Sequence, residues 1–503
     1  MEKNLEASSA RSQGPSEQES PGRPSATVTP TQPGSVALSF APGRARYDQV
    51  AYNFTPSQGA TSTSGTSYYR SKRKGGAWSR DPDKDDGKTD ITATTDASFY
   101  SYHSSRDLAA FVREMDGRMF NNQNELYMLP SDNQEFQRLQ KQHYAFVLSE
   151  GGLTPCQHIV ESILRPSDEG EPRSVLDLGC GSGIWAIEMA KEYPNASIVA
   201  LDLAPAPIDL ENIPPNCRFE IDDVNLGLSH YHGNSRFDVI HTRCIGSGIN
   251  NYANMMRDVE ACLKPGGLVI FIDGDMRMYE EDGVTPVPVG EEDENGVEIG
   301  EGSWLHRIAR EVRYAAIYRG SDVPGLEDCI DLGLFGHPLI EPSSIRAASL
   351  YTPIGPWPES PYASEQQQLR YAGALMRQDL IQLSRAWHPI LKVSGIDQAT
   401  LDRWSERVDK ELLTGKFKML WHWRTTWGRR KLEDPDGQPI DTTPEDTIQT
   451  YDLPDEAPRA YNFFRMFTTA QEAAAFRELR TEKAKHLPLP LVVKMYEEAQ
   501  STV

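Results

Sequence analysis

Short apolar segments alternate with amphipathic segments over the middle of the chain. The amphipathic segments, at residues 185–193 and 252–263, have apolar side chains at helical spacing. Strands that alternate with helices predict a parallel sheet joined by right-handed crossovers. The fold class is therefore α/β, with a Rossmann-like, mostly parallel sheet. Its predicted strands are residues 174–178, 197–201, 217–221, 237–241 and 268–273.

The pattern changes on both sides of this region. Before it, Ser131 and Gln134 form a capping-box signature for a helix that should end at Gly151. After it, helical spacing returns several times, and alternating residues predict two further strand regions. The predicted helices are 304–318, 365–391, 400–413 and, weakly, 471–485, and the strand regions are 339–352 and 419–427.

Composition divides the chain into four parts. Residues 1–100 are rich in Ser, Thr, Pro, Gly and Gln, and such a segment buries too little apolar surface to offset its ordering entropy, so we expect disorder. A helical cap is expected to follow. The main domain comes next, with helical additions, and a C-terminal extension completes the chain. The expected bounds are 101–165 for the cap, 166–432 for the domain, 365–414 for its helical insertion and 433–503 for the extension.

Charge and cysteine content restrict the partners. The formal net charge of −22 disfavours binding to nucleic acid. The chain has neither an apolar run long enough to cross a membrane nor a secretory signal at its start, which predicts a cytoplasmic protein. The basic run Arg70-Ser71-Lys72-Arg73-Lys74 fits either a nuclear import signal or a solvated charge run. Six scattered cysteines predict reduced thiols and no metal site.

A glycine-rich turn carries the strongest chemical signal. The first strand runs into Asp177-Leu178-Gly179-Cys180-Gly181-Ser182-Gly183, and a helix begins at once. Asp202 follows about twenty residues later at the end of the second strand, where an acidic side chain can accept both hydroxyls of a ribose. A nicotinamide dinucleotide is disfavoured, because Ile184 occupies the position where that fingerprint requires its last glycine.

Two further segments fit an adenosine pocket. The third strand ends in Asp222-Asp223-Val224, which offers an acid to the adenine amino group, although a helix cap or a solvated loop would explain these acids equally well. Leu263-Lys264-Pro265-Gly266-Gly267 makes a tight turn into the fifth strand.

These segments, taken in order, resemble the motifs of class I S-adenosylmethionine-dependent methyltransferases. More closely, two segments resemble the fungal LaeA-like family. They are Tyr127-Met128-Leu129-Pro130-Ser131-Asp132, followed by Glu135, Arg138, Leu139, Gln142 and His143, and Gly183-Ile184-Trp185. The resemblance covers about residues 100–432. It departs from the family at Cys180 and Ser182, where many relatives have Thr, and at Ala204, where relatives usually have Ser before Pro205.

The resemblance implies a seven-stranded sheet and S-adenosylmethionine as the cofactor. Asp202 and Leu203 would hold the ribose side, Asp223 and Val224 the adenine, and Gly179, Gly181 and Gly183 would face the methionine part. Asp177 would hold the loop or meet the amino group of the cofactor. His143 and Tyr144 would cover the pocket, and His241 and Arg243 would face the acceptor. The sequence assigns no catalytic base.

Two functions remain open. The first is methyl transfer to an acceptor of the small secondary-metabolite class, for which we expect a closed aromatic pocket near Tyr144, His241 and Trp357. The second is that of a LaeA-like nuclear regulator of secondary metabolism, which acts with protein partners. Ser247 lacks the surroundings of a nucleophile elbow, and His230 with His232 lacks further ligands for a metal.

Overall fold

The structure is a computed structural model that describes residues 110–166, 172–208, 210–231, 237–433, 436–438 and 459–501. Before residue 110 it describes only the backbone of two short strands, which pair antiparallel within the compact unit Ala60–Val503. The rest of the segment predicted to be disordered, 1–100, lies outside the described residues, as does its basic run at 70–74. Among the described residues, no helix has the length and apolarity needed to span a membrane.

The described strands are β1 (Ser67–Tyr69), β2 (Tyr100–Tyr102), β3 (Val112–Met115), β4 (Arg118–Asn121), β5 (Ser174–Leu178), β6 (Ser197–Asp202), β7 (Cys217–Ile221), β8 (Phe237–Arg243), β9 (Leu263–Tyr279), β10 (Glu291–Glu292), β11 (Glu298–Ile299), β12 (Arg346–Ile354), β13 (Met419–Arg429) and β14 (Phe464–Phe467). The described helices are α1 (Asn133–Glu150), α2 (Gln157–Leu164), α3 (Ile184–Glu192), α4 (Tyr252–Cys262), α5 (Trp304–Tyr318), α6 (Val323–Asp331), α7 (Ala363–Ala386), α8 (His388–Val393), α9 (Gln398–Thr414), α10 (Ala470–Ala484) and α11 (Leu491–Ser501).

One central sheet organises the described residues, with the strand order β14-β12-β13-β9-β8-β5-β6-β7. The five strands from β5 to β9 pair parallel, as predicted, and β13 pairs antiparallel with both β9 and β12. The strands β5 and β7 have the predicted bounds. In β5 the apolar run and the burial both end at Leu178, whereas β7 alternates apolar Cys217, Phe219 and Ile221 with Arg218 and Glu220. The Rossmann-like fold class is confirmed, and β14 adds an eighth strand to the seven that were expected.

Several boundaries differ from their predictions, among them β9, which runs from Leu263 to Tyr279 rather than from 268 to 273. Two of the differences have clear local reasons. The strand region predicted at 339–352 begins only at Arg346, because Pro342–Ser344 forms a 3-10 turn that the Glu341 side chain caps. The helix predicted at 365–391 is divided into α7 and α8 at Trp387. Pro389 in the first turn of α8 has no N–H to continue the hydrogen-bond ladder of α7.

The capping box predicted for α1 is wrong by one residue. Asp132, not Ser131, is the N-cap, and its Oδ1 accepts a hydrogen bond from the Glu135 backbone N–H at 3.0 Å. The helix ends at Gly151 as predicted, with a φ of 77°. Asp132 also receives two hydrogen bonds from Arg118 of β4, so the start of α1 is tied to the strand before it.

The part predicted as a helical cap, 101–165, also contains the hairpin β3–β4. Asp116 and Gly117 connect these strands and both have positive φ, which suits a tight hairpin turn. Behind the hairpin, α1 packs along α7 of the helical insertion. Buried Arg138 joins the two helices, because it donates to Glu135 at 2.7 Å and to Asp379 at 2.6 Å.

The C-terminal extension is attached to the sheet at two points. β14 pairs antiparallel with β12 over Ala347–Leu350, at the outer edge of the sheet. From α10, the buried Arg480 side chain lies 3.2 Å from Asp275 Oδ2 and contacts the His422 ring. The extension therefore fills positions in the sheet and its core rather than lying beside them.

Candidate functional site

A pocket opens at the carboxyl ends of β5, β6, β7 and β8, where open α/β sheets bind their ligands. It contains about 870 Å³ of empty space, with the open solvent at its mouth included. The predicted residues that line it are Asp177, Gly179, Gly181, Asp202, Leu203, Asp223, Val224, His241 and Arg243. The predicted residues that are not among its lining residues are Gly183, His143 and Tyr144.

The glycine-rich loop owes its shape to positive φ angles. Gly179 has a φ of 75°, and a Cβ there would lie 2.1 Å from Ile245 Cγ2. The backbone amides of Gly179 and Cys180 both donate to the Leu201 carbonyl oxygen, at 2.8 and 3.0 Å. Gly183 instead serves as the N-cap of α3 and packs against Phe219. The loop therefore presents backbone rather than side chains to the pocket.

Asp202 holds this loop in place from the end of β6. Its Oδ2 accepts from the Gly181 amide at 2.7 Å and its Oδ1 accepts from the Ala204 amide at 3.2 Å. Burial raises the pKa of the Asp202 carboxyl, although hydrogen bonds from backbone amides act in the opposite direction. A carboxylate has about four acceptor positions. Acceptor capacity therefore remains on Asp202, which fits a hydroxyl donor such as a ribose.

Asp223 is both a helix cap and a pocket residue, the two roles that the sequence left open. It caps the 3-10 turn Val224–Leu226, where its Oδ1 accepts from the Asn225 backbone N–H at 3.0 Å. The Asn124 amide lies 3.4 Å from the same oxygen, and both residues line the pocket beside Val224. The capping role and the pocket position coexist, because the cap uses Oδ1.

Asp177 and His241 form a buried pair at the centre of the pocket. His241 Nδ1 lies 2.8 Å from Asp177 Oδ1, and Trp185 stacks on the imidazole with ring centroids 3.8 Å apart. Burial lowers the pKa of His241, and Nε2 has no hydrogen-bond partner among the described residues. The neutral ring with its proton on Nδ1 therefore fits this position and fixes the orientation of Asp177.

His143 supports the pocket from behind. Its Nε2 lies 2.8 Å from Glu188 Oε2, and its Nδ1 lies 3.0 Å from an Arg243 amino group. The ring is fully buried, and this burial lowers its pKa. Of the three side chains Glu188, His143 and Arg243, Arg243 reaches the pocket. Tyr144 packs edge-on against His143.

Sequence reasoning did not find the side of the pocket that comes from the N-terminal cap. Asn124, Tyr127, Leu139 and Gln142 line it. The spacing of Leu139 and Gln142, three residues apart on one face of α1, is the signal that could have found them. Tyr127, Leu139, Gln142 and Cys244 also line a second cavity that adjoins the first.

The remaining candidates lie elsewhere. Trp357, expected near the acceptor, packs edge-on against Tyr461 and Phe463 and is absent from the lining of both cavities. All six cysteines are free thiols, as predicted. His230 Nε2 lies 3.5 Å from Asp222 Oδ2, and His232 is outside the described residues. Within the described ranges, no three His, Cys, Asp or Glu side chains are grouped as metal ligands.

Comparison with known proteins gives consistent matches over the same region. The family model described as a methyltransferase domain matches residues 153–316. The secondary metabolism regulator laeA of Coprinopsis cinerea is 41% identical over 169 residues, 33% of this chain and 40% of that protein. Methyltransferase pytC of Aspergillus terreus is 27% identical over 262 residues, 51% of this chain and 68% of that protein. A solved structure, phosphoethanolamine N-methyltransferase 2 of Haemonchus contortus with S-adenosyl-L-methionine, is 15% identical, covers 59% of this chain and 58% of that chain, and has a TM-score of 0.29.

The chain thus spans two fifths of the length of the laeA protein that it matches. Residues 153–316, which match the methyltransferase-domain model, contain the glycine-rich loop, Asp202 and the five parallel strands. This part of the chain therefore resembles a methyltransferase domain, and the chain is similar to the laeA relative across a third of its length.

Proposed function

We propose that the protein transfers a methyl group from S-adenosylmethionine to a small-molecule acceptor. The observation that carries the proposal is the pair of adjoining cavities with a shared wall of Tyr127, Leu139, Gln142 and Cys244. The first cavity has the residues for an adenosine and a methionine group. The second has apolar and aromatic walls, which are typical of small-molecule sites.

Each part of the cofactor has a fitting partner in the first cavity. Asp202 would accept from the ribose hydroxyls, and Asp223 with the Val224 amide would meet the adenine. Gly179 and Gly181 would lie against the methionine part, and Asp177, oriented by His241, would accept from the ammonium group. The bound cofactor supplies a methyl group on a sulfonium, which is a good leaving group. The protein has to align the acceptor with that methyl group and exclude water.

The test is a calorimetric titration of S-adenosylmethionine and S-adenosylhomocysteine into the protein and into Asp202→Ala. A lost hydrogen bond to a charged group costs about 1.5–3 kcal/mol, or about a tenfold to hundredfold loss of affinity. Asp402→Ala is the matched control, because Asp402 is an exposed acid on α9 and does not line the cavity. The proposal fails if the folded parent protein binds neither ligand.

A second function is favoured by the Coprinopsis cinerea relative, which is a secondary metabolism regulator. On that account the protein binds the cofactor, enters the nucleus by its basic run at 70–74 and acts through protein partners rather than on a metabolite in the cytoplasm. The net charge of −22 disfavours nucleic acid as the partner. Cofactor binding without transfer to any small acceptor, together with nuclear accumulation that is lost when the basic run is replaced, would favour this second function.

A further inference from the structure

The second cavity has a wall of three tryptophan side chains. Trp387 lies at the junction of α7 and α8, and Trp421 and Trp423 lie on β13. Met128, Met276, Leu383 and Ile390 are among the other apolar residues that line it. We name this cavity, which has about 700 Å³ of empty space, the indole chamber.

The rings of the indole chamber are firmly packed. Trp421 and Trp423 are each 2% exposed, and their ring centroids lie 5.4 Å apart. Trp423 also packs on Phe146 of α1 at 4.2 Å. Gly274 makes room for this wall, because a Cβ there would lie 3.1 Å from the Trp421 ring. Rigid flat walls of this kind favour a planar apolar ligand, which stacks on them at a low entropic cost.

Asp273 places one carboxylate in this apolar lining. It is 7% exposed, its Oδ1 accepts from the Gly274 amide at 2.8 Å, and its Oδ2 accepts from the Gly246 amide at 2.9 Å. No Lys, Arg or His of the described residues forms a salt bridge with it. Burial raises the pKa of the Asp273 carboxyl to about 6, although its amide hydrogen bonds and the positive charge of Arg424 on β13 act against the rise. Each oxygen keeps acceptor capacity for a ligand.

The other polar side chains of the indole chamber differ in whether they can form hydrogen bonds with a ligand. Arg138 is fully engaged by Glu135 and Asp379. Gln142 lines both cavities, and its side-chain amide makes no hydrogen bond within the described part of the chain. An acceptor that spans the boundary would therefore find Gln142 at the boundary and Asp273 in the chamber.

The backbone is strained at the same place. Cys244 has a φ of 60° and Met276 a φ of 53°, and both line the indole chamber. Asp116, in the β3–β4 turn, is the remaining described non-glycine residue with positive φ. Such strain costs about 1–3 kcal/mol per residue and concentrates at functional sites.

We propose that the indole chamber binds a planar, largely apolar acceptor with an aromatic hydroxyl group, and that Asp273 accepts the hydroxyl proton during methyl transfer. This inference rests on the proposed function. The acceptor O–H bond breaks and its proton goes to Asp273, while the hydroxyl oxygen forms a bond to the methyl carbon. The methyl–sulfur bond breaks and its electron pair stays on sulfur, which leaves S-adenosylhomocysteine. Asp273 then releases the proton to water.

The test compares two probes by quenching of tryptophan fluorescence, 2-naphthol and its methyl ether 2-methoxynaphthalene. Both are planar, but only the naphthol can donate a hydrogen bond to Asp273. As pH rises from 5 to 8, Asp273 ionises, and we expect 2-naphthol binding to strengthen about tenfold or more while ether binding stays constant. In Asp273→Asn, this pH dependence should disappear.

Two further variants test the location of binding. Trp421→Phe should weaken the binding of both probes. Trp357→Phe should leave the binding of both unchanged, because Trp357 packs outside the indole chamber. Equal binding of naphthol and ether at every pH, or no binding of either probe, would overturn the inference. These probe titrations need no cofactor. If the probes fail while S-adenosylmethionine still binds in an Asp202-dependent manner, the inference fails and the proposed function stands.

Discussion

Replacing Gly179 with Ala should destabilise the protein by two separable effects. The first is backbone strain, because Gly179 has a φ of 75°. A residue with a Cβ pays about 1–2 kcal/mol in this conformation. The second is a clash, because the new methyl group would lie 2.1 Å from Ile245 Cγ2. Overpacking of this kind typically costs about 1–3 kcal/mol. The sum of about 2–5 kcal/mol is a large part of the 5–15 kcal/mol typical of a folded protein.

Gly117→Ala isolates the first effect. Gly117 has a φ of 72°, and no atom lies within 4 Å of a Cβ built there. In urea, Gly117→Ala should therefore lower the free energy of unfolding by about 1–2 kcal/mol. Gly179→Ala should lower it by about 1–3 kcal/mol more. Because the Gly179 amide anchors the loop to Leu201, Gly179→Ala should also bind S-adenosylmethionine more weakly than the parent protein. Gly117→Ala should bind it as the parent protein does.

A double-mutant cycle with Ile245→Ala tests the clash directly. Removing the Ile245 side chain makes room for the new methyl group, so the two substitutions should couple favourably by about 1–3 kcal/mol. Equal losses for Gly179→Ala and Gly117→Ala, with no coupling to Ile245→Ala, would refute the packing argument.

Two predictions concern buried charges. Arg138→Met should lower the free energy of unfolding in urea by about 3–5 kcal/mol, because it leaves Glu135 and Asp379 unpaired in the core. The control is Arg370→Met at an exposed position. A loss for Arg138→Met no larger than that of the control would contradict this prediction. Burial alone would raise the pKa of Glu327, but Arg424, Arg313 and Arg277 outweigh it and lower the pKa from 4.5 to about 2. This stabilisation of about 3 kcal/mol is present above pH 4.5 and is lost as pH falls towards 2. Between pH 5 and 3, Glu327→Gln should therefore lose stability less steeply than the parent protein, and parallel slopes would show that Glu327 contributes nothing.

The sheet could be predicted from the sequence because its strands are short and buried. The strand β5 coincides with an apolar run that ends in Gly179, and β7 with an alternation of apolar and charged residues that ends in Asp222. The wrong predictions of helix boundaries have local chemical causes. Asp132 replaced Ser131 as the cap of α1, and Pro389 divided a helix whose periodicity continues across the break. The four residues of β14 are too few to show alternation, so pairing with β12 alone defines that strand.

Most of the proposed cofactor residues could be predicted from the sequence, and the proposed acceptor side could not. The predicted residues of the first cavity lie at or just after strand ends, so chain order predicts that they meet. The indole chamber takes residues from α1, the loop after β8, β9, α8 and β13. The pairing of β13 with β9 and the packing of α1 along α7 are among the long-range contacts that bring these segments together.

The pairing of β14 with β12 has a consequence for any shortened form of the protein. A chain cut at the expected domain end, after residue 432, would lose β14 and leave the backbone groups of Ala347–Leu350 unpaired along an open strand. It would also remove Phe467 and Phe476, which pack together beside Ala347. An uncovered sheet edge with an apolar border is a template for strand addition by a second molecule. Aggregation of such a fragment would therefore reflect the missing cover and not a defect of the methyltransferase domain.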